Sequence, residues 1–386
     1  MTRILPLAAV IGAISTATAM PALADTVPAV VVTVENAQPS RGVFLTPPWL
    51  GIHDGSFDSY DGGAPASVPL GGDEIERLAE DGDNSAITAT FEALLPDAPQ
   101  VAGLPGPGGP LAPGDRASTV FRVNPLVDRY FSYASMIIPS NDFFIANGNP
   151  LAHQLFDDNG EFVGTDFIVG GSETNDAGTE VNDEIASNVA FLAQAAPDVG
   201  VTENLPVIAP APGFAAPGTL TFPNGVLNHP VFANGDFNDA DDPIFRVSFR
   251  FLDLAGRLNF DSVLSTDQEV TAMAVESEGT GDAQGIARGG EMLRVVVRTQ
   301  NLTGPVTMAH LHLGQAGVNG PVVVDLGPGI QRSNNRVNLQ ITEADLVGVL
   351  AGRDLETLLG EMAAGNVYVN IHTEANPAGE IRGQLR

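Results

Sequence analysis

Three of the six histidines fall in two short β-type runs. His310 and His312 lie in Val306–Leu313 (VTMAHLHL), and His372 lies in Val367–Thr373 (VYVNIHT). Side chains alternate across a strand, so His310 and His312 share a face with Val306 and Met308, opposite Ala309, Leu311 and Leu313. By the same count His372 shares its face with Tyr368 and Asn370, opposite Val367, Val369 and Ile371. All three imidazoles therefore point away from the more apolar faces. An H-x-H strand plus a third His on a later strand is a donor set that suits Cu²⁺ or Zn²⁺. The alternative is a polar network with Glu380 and Arg382 that fixes strand register. Those two residues share a face by parity and read as an ion pair or hydrogen-bonding pair. His53-Asp54 reads as a turn following Pro47-Pro48. No G-x-S-x-G elbow or H-E-x-x-H motif is present, and any paired-carboxylate chemistry is submerged in a general excess of acid. No complete catalytic constellation emerges, and no enzymatic activity is assigned.

Strands must position these groups. The chain reads as many short β-type runs separated by Gly, Pro, Asn and Asp: 30–35, 120–123, 133–138, 245–251, 293–299, 306–313, 321–326, 336–341, 367–373 and 379–385. This spacing predicts an all-β protein of two β-sandwich domains, with one or two short helices in the second. Helical signals are confined to 73–80, to a capping-box-like start at Thr342-Glu343-Ala344-Asp345, and to 354–364 ending at Gly365.

The 386 residues hold 47 Asp+Glu against 17 basic residues, all of them Arg, for a formal charge of −30. That charge disfavours nucleic acid, whose phosphates need clustered cations. The absence of Lys excludes Schiff-base chemistry, and the absence of Cys excludes disulfides, thiolate sites and a lipid anchor. Arg3, an apolar run from Ile4 to Met20 and Ala22-Leu23-Ala24 predict a signal peptide over 1–24, with the mature chain starting at Asp25 and no membrane span after cleavage. The expected product is secreted, extracellular or periplasmic.

Several motifs over residues 29–252 resemble a bacterial spondin domain. They are Val32-Thr33-Val34-Glu35-Asn36, His53-Asp54-Gly55, Leu78-Ala79-Glu80-Asp81-Gly82, Pro139-Ser140-Asn141-Asp142-Phe143-Phe144 and Asn175-Asp176-Ala177-Gly178-Thr179-Glu180. The resemblance implies a C2-like sandwich over 25–252 with Ca²⁺ in loops at one end. Asp142 and Asp176 are its first candidate ligands, followed by Glu180, Asn141 and Glu35; oxygen donors of these types suit Ca²⁺. Residues 253–386 resemble a CHRD domain, through Ala309-His310-Leu311-His312-Leu313-Gly314, Gly320-Pro321-Val322-Val323-Val324-Asp325-Leu326 and the run from Gly365 to Leu385. The histidine layout there is similar to that of copper/zinc superoxide dismutases, without a fourth His nearby. Two functions are expected. The first is a secreted, non-enzymatic, calcium-binding interaction or adhesion protein, with an extracellular protein or polysaccharide as ligand. The alternative is an envelope copper- or zinc-binding protein.

Overall fold

The computed structural model describes residues 27–386 except 198, 204–206, 238, 240–241, 272–274, 291 and 332–333. The expected signal peptide lies outside the described residues. Among them, no helix is long and apolar enough to cross a membrane.

The first strand, Pro28–Asn36 (PAVVVTVEN), is rich in β-branched residues, which fit a pleated, packed surface. It is central in a four-stranded antiparallel sheet, flanked by Arg116–Arg122 and Pro243–Asp253, with Phe167–Gly170 outermost. A central strand covered on both faces reads as a continuous apolar run rather than an alternating one. Here Val30, Val32 and Val34 enter one core while Ala29 and Val31 enter another. The first core is completed by a second sheet, whose main strands are Trp49–His53, Tyr130–Ile138 and Phe143–Ala146. Leu50, Ile52, Phe131, Tyr133 and Ile145 face Val30, Val32, Val34, Phe245 and Val247 across it. This is the sandwich that the sequence predicts.

The outer face of the second sheet is covered by helices Glu74–Asp81 and Ser85–Leu94. The second helix is not legible in its sequence, SAITATFEAL, because its Thr and Ile residues are weak helix formers. Ile87 and Phe91, four residues apart, bury one stripe against Trp49, with the Trp49 and Phe91 rings 5.1 Å apart.

From Arg257 onward the chain forms one nine-stranded antiparallel sheet. Its spatial order is 322–325, 306–313, 367–373, 381–385, 257–265, 280–288, 292–300, 336–341 and 330–331. The two halves meet at the pair Ser265–Arg382, where the sheet doubles back to enclose a single core. The hairpin strands Arg257–Ser265 and Thr280–Arg288 are absent from the sequence reading. In the second of them the pattern is hidden by glycine, because a Cβ on Gly285 would lie 2.8 Å from Met362 Cε. The helix Leu355–Ala363 begins at Asp354, whose carboxylate accepts from Thr357 N at 2.9 Å, and Gly365 follows it at φ 76°.

This helix also joins the two units. Ala29, Val31, Leu252 and Leu254 are part of the second unit's core. Asn366 Nδ2 donates to Ser118 Oγ at 2.9 Å and to Glu361 Oε2 at 2.8 Å, and Arg250 Nη1 donates to Ala363 O at 2.7 Å. Arg122 pairs with Glu356. A Cβ on Gly360 would collide with Val120 Cγ2. Gly360→Ala sets two effects against each other. Helix propensity favours Ala by about 1 kcal/mol, whereas overpacking costs about 1–3 kcal/mol. Thermal melting is expected to show net destabilisation; a raised Tm would mean that the joint is loosely packed.

Candidate metal centre

The strand Val306–Leu313 pairs antiparallel with Val367–Thr373, setting Met308 opposite His372, His310 opposite Asn370 and His312 opposite Tyr368. Ala309, Leu311, Val367, Val369 and Ile371 enter the core, which turns the three histidines to the outer face as parity predicts. Val306 departs from that parity. A bulge between Val306 and Met308 turns Val306 into the core.

The three side chains converge. One ligand atom from each of His310, His312 and His372 lies within 4.8 Å of the others. His372 is buried, while His310 and His312 are half-buried. His312 Nδ1 lies 2.9 Å from Gly320 O, and His372 Nδ1 lies 3.0 Å from Pro377 O. A carbonyl can only accept, so both Nδ1 atoms carry the proton and both Nε2 atoms present a bare lone pair. His312 Nε2 is buried with no hydrogen-bond partner. His372 Nε2 lies 3.2 Å from His310 Nδ1. Two nitrogens each about 2.0–2.1 Å from one tetrahedral ion stand about that far apart. Burial lowers the pKa of all three, that of His372 to about 4, so the rings are neutral at pH 7 as ligands must be. Anchoring of the distal N–H on a carbonyl is the usual outer-shell arrangement of a metal-binding His.

The support around His312 extends further than the sequence reading. The Tyr368 ring stacks on His312 at 4.8 Å and 7°, and the Arg382 guanidinium caps the other side of Tyr368 at 3.4 Å from its centroid. Arg382 is buried. Its Nη2 donates to Gln315 O and Val318 O, both at 2.8 Å, and its Nη1 to Asn319 Oδ1 at 3.3 Å. Those bonds hold the 314–320 loop that supplies the Gly320 carbonyl. Glu380 is engaged elsewhere. Its carboxylate accepts from Ser277 Oγ, Thr303 N, Thr303 Oγ1 and Thr373 Oγ1 at 2.5–2.7 Å. Among the described residues Glu380 and Arg382 do not pair, which corrects the expected ion pair. Arg382 makes no hydrogen bond to a histidine and reaches His312 through Tyr368 and through the loop that supplies Gly320 O.

The carboxylates of the first unit form a second, looser cluster. Asp142 is fully buried, and its Oδ2 accepts from Thr179 N at 2.8 Å and Glu180 N at 3.0 Å, while Oδ1 has no partner. Burial, then the Asp176 carboxylate, push its pKa up to about 7. Asp176 accepts from Gly178 N at 2.7 Å and Asn182 Nδ2 at 2.6 Å, and burial raises its pKa as well. Glu180 is buried beside them. Glu80, on helix Glu74–Asp81, joins the group and escaped the sequence reading. Burial drives its pKa up to about 8, with Glu180, Glu76 and Asp142 adding to the rise. Its place in Leu78-Ala79-Glu80-Asp81-Gly82 was the available signal. These acids share buried or half-buried surroundings and one unpartnered Asp142 oxygen, but among the described residues only His310, His312 and His372 bring three donor atoms together.

Glu35 lies outside this cluster, whereas Asn141 is the chain neighbour of Asp142 and is buried. Glu35 sits between Arg116 at 2.8 Å and Arg246 at 3.4 Å, its cross-strand neighbours on the first sheet. Asn141 Oδ1 accepts from Glu184 N at 3.4 Å. His53 ends a strand instead of opening a turn. It is buried, its Nδ1 accepts from Gly55 N at 3.0 Å and its Nε2 lies 2.8 Å from Ser132 Oγ. Asp54 Oδ1 accepts from Ser56 N and Oγ, and it meets His53 through charge with no hydrogen bond between them.

No curated protein and no solved structure matches the chain. Residues 260–385, the span that carries the trihistidine cluster, match the family described as CHRD domain.

Proposed function

We propose that this chain is a transition-metal-binding protein that holds Cu²⁺ or Zn²⁺ at His310, His312 and His372 within its CHRD domain. One observation carries the reading: His312 and His372 are locked by their Nδ1–H groups onto backbone carbonyls, so that both Nε2 atoms carry a lone pair, that of His312 with no partner and that of His372 facing His310 Nδ1. Three neutral imidazoles leave further positions on the ion for water or a small ligand. The bound ion supplies Lewis-acid or redox character, and the protein supplies orientation and partial exclusion of water. With the expected secretory leader, this makes the chain an envelope or extracellular metal-holding protein.

The test is metal content. Mature protein equilibrated with Cu²⁺ or Zn²⁺ and then desalted is expected to retain one equivalent, and to melt higher than the chelated form, because an ion that binds only the folded state stabilises it. The triple His→Ala variant is expected to lose both effects. Equal metal retention by that variant would overturn the proposal.

A second reading is favoured by the unpartnered Asp142 Oδ1. In it Asp142, Asp176, Glu180 and Glu80 hold Ca²⁺ in the first unit, consistent with the resemblance to bacterial spondin domains. The ion would rigidify the loops at one end of the sandwich, and those loops would meet an extracellular protein or polysaccharide.

A further inference from the structure

We propose that the trihistidine centre is a copper site selective for Cu⁺, in which Met308 supplies a thioether as the fourth ligand. This rests on the trihistidine reading and names the ion. Met308 begins the run Met308-Ala309-His310-Leu311-His312 and stands directly across from His372. Side chains so paired have Cβ atoms about 4.5–5.5 Å apart, and the methionine sulfur lies two bonds beyond its Cβ. It is therefore within reach of the space that His372 Nε2 and His310 Nδ1 share.

The backbone supports this placement. The bulge at Thr307 sends Val306 into the core and leaves Met308 as the last outward residue on its side of the centre, 42% exposed. An apolar side chain with no core to fill is here joined to the open flank of three neutral nitrogen donors.

The softness of the fourth donor selects the ion. Three neutral imidazoles alone suit Zn²⁺ as well as copper, so the thioether makes the distinction. The carboxylate across the strand from His310 belongs to Asp325, whose Oδ1 accepts from Gly327 N at 2.7 Å and whose charge acts on the His310 ring without ligating beside it. Thioether sulfur is a soft donor that binds Cu⁺ well, whereas Zn²⁺ sites are built from imidazole, thiolate and carboxylate.

The experiment compares the wild type with Met308→Leu, a change of similar volume at an exposed position that leaves the histidines in place. Cu⁺ affinity is measured anaerobically by competition with bicinchoninate, and Zn²⁺ affinity with a chromophoric chelator. In Met308→Leu the Cu⁺ affinity is expected to fall by more than about tenfold, since even loss of an outer-shell partner costs that much. Zn²⁺ affinity is expected to hold within about twofold, and X-ray absorption at the copper edge is expected to lose its sulfur shell. Equal Cu⁺ affinity in the two proteins would overturn the assignment, as would a parallel loss of Zn²⁺. In either case the trihistidine reading still stands. Failure of the wild type to bind Cu⁺ or Zn²⁺ in a histidine-dependent way would overturn both.

Discussion

Arg382→Met is expected to destabilise the protein by about 2–4 kcal/mol and to weaken metal binding by about ten- to a hundredfold, although Arg382 touches no histidine. Both effects come from one arrangement. The guanidinium lies over Tyr368, whose ring stacks on His312, and the same guanidinium donates to two carbonyls and one amide of the 314–320 loop. Hydrogen bonds from a charged donor are worth about 1.5–3 kcal/mol each where they are not replaced by water, and a desolvated cation–π contact adds about 2 kcal/mol. Most of that is recovered when the freed loop carbonyls become hydrated and the Met side chain keeps the apolar packing, which leaves a net loss of about 2–4 kcal/mol. The loss of affinity follows from the loop, because Gly320 O fixes the proton and the orientation of His312. Arg382→Lys separates the contributions. It keeps the charge but cannot span two carbonyls in a fork, so it should recover little of the affinity. Isothermal titration with Zn²⁺ and thermal melting of both variants test this; unchanged Zn²⁺ affinity in Arg382→Met would mean that His312 is positioned without the loop.

In the absence of metal, the protein is expected to lose stability as pH rises from 6.5 to 8.5. The sign follows from four acids, Asp142, Glu80 and Glu361 buried and Glu269 half-buried. Asp142, Glu269 and Glu361 titrate near 7 and Glu80 near 8, with burial the leading cause in each. A carboxyl whose folded pKa is raised holds its proton longer when folded than when unfolded. Its stabilising effect is therefore present at low pH and is lost as pH climbs through the folded value. His53, His153 and His372, lowered to about 4, act oppositely, since their stability is gained between pH 4 and 6.5. Below 6.5 the two groups offset each other, and above it the acids act alone. Asp142→Asn cannot ionise and should melt higher than the wild type at pH 8 in EDTA. On the calcium reading, millimolar Ca²⁺ should raise the wild-type Tm at pH 8 and leave the variant unmoved. A calcium shift retained by Asp142→Asn would show that the ion sits elsewhere, and a flat wild-type pH profile would mean that these carboxyls are better solvated than their packing implies.

What was legible in the chain depended on whether one strand or several had to be considered. The strand Val306–Leu313 shows its two faces by simple alternation, and so does Val367–Thr373, so the common face of His310, His312 and His372 could be read directly. The bulge that turns Val306 inward could not, because it depends on the partner strand's register. Nor could the Arg382–Tyr368–His312 stack, which joins three strands through side chains of unrelated type. Arg382 and Glu380 share a parity, but Glu380 stands before its strand begins and binds hydroxyls instead. In the first unit, motifs singled out Asp142, Asp176 and Glu180 from a surplus of acid. Glu35 was drawn in by its own motif, yet its neighbours Arg116 and Arg246 are set by strand pairing across more than eighty and two hundred residues, beyond any local pattern.

The position of the first strand bears on the order of assembly. Pro28–Asn36 lies between Arg116–Arg122 and Pro243–Asp253, so its second edge stays unpaired until residue 253 has emerged from synthesis or export. Non-local pairing of this kind slows folding, and a waiting valine-rich edge is a template for self-association. The nascent chain must cross that interval with Val30–Val34 exposed on one side. The excess of acid along the chain opposes that association, because like-charged chains repel.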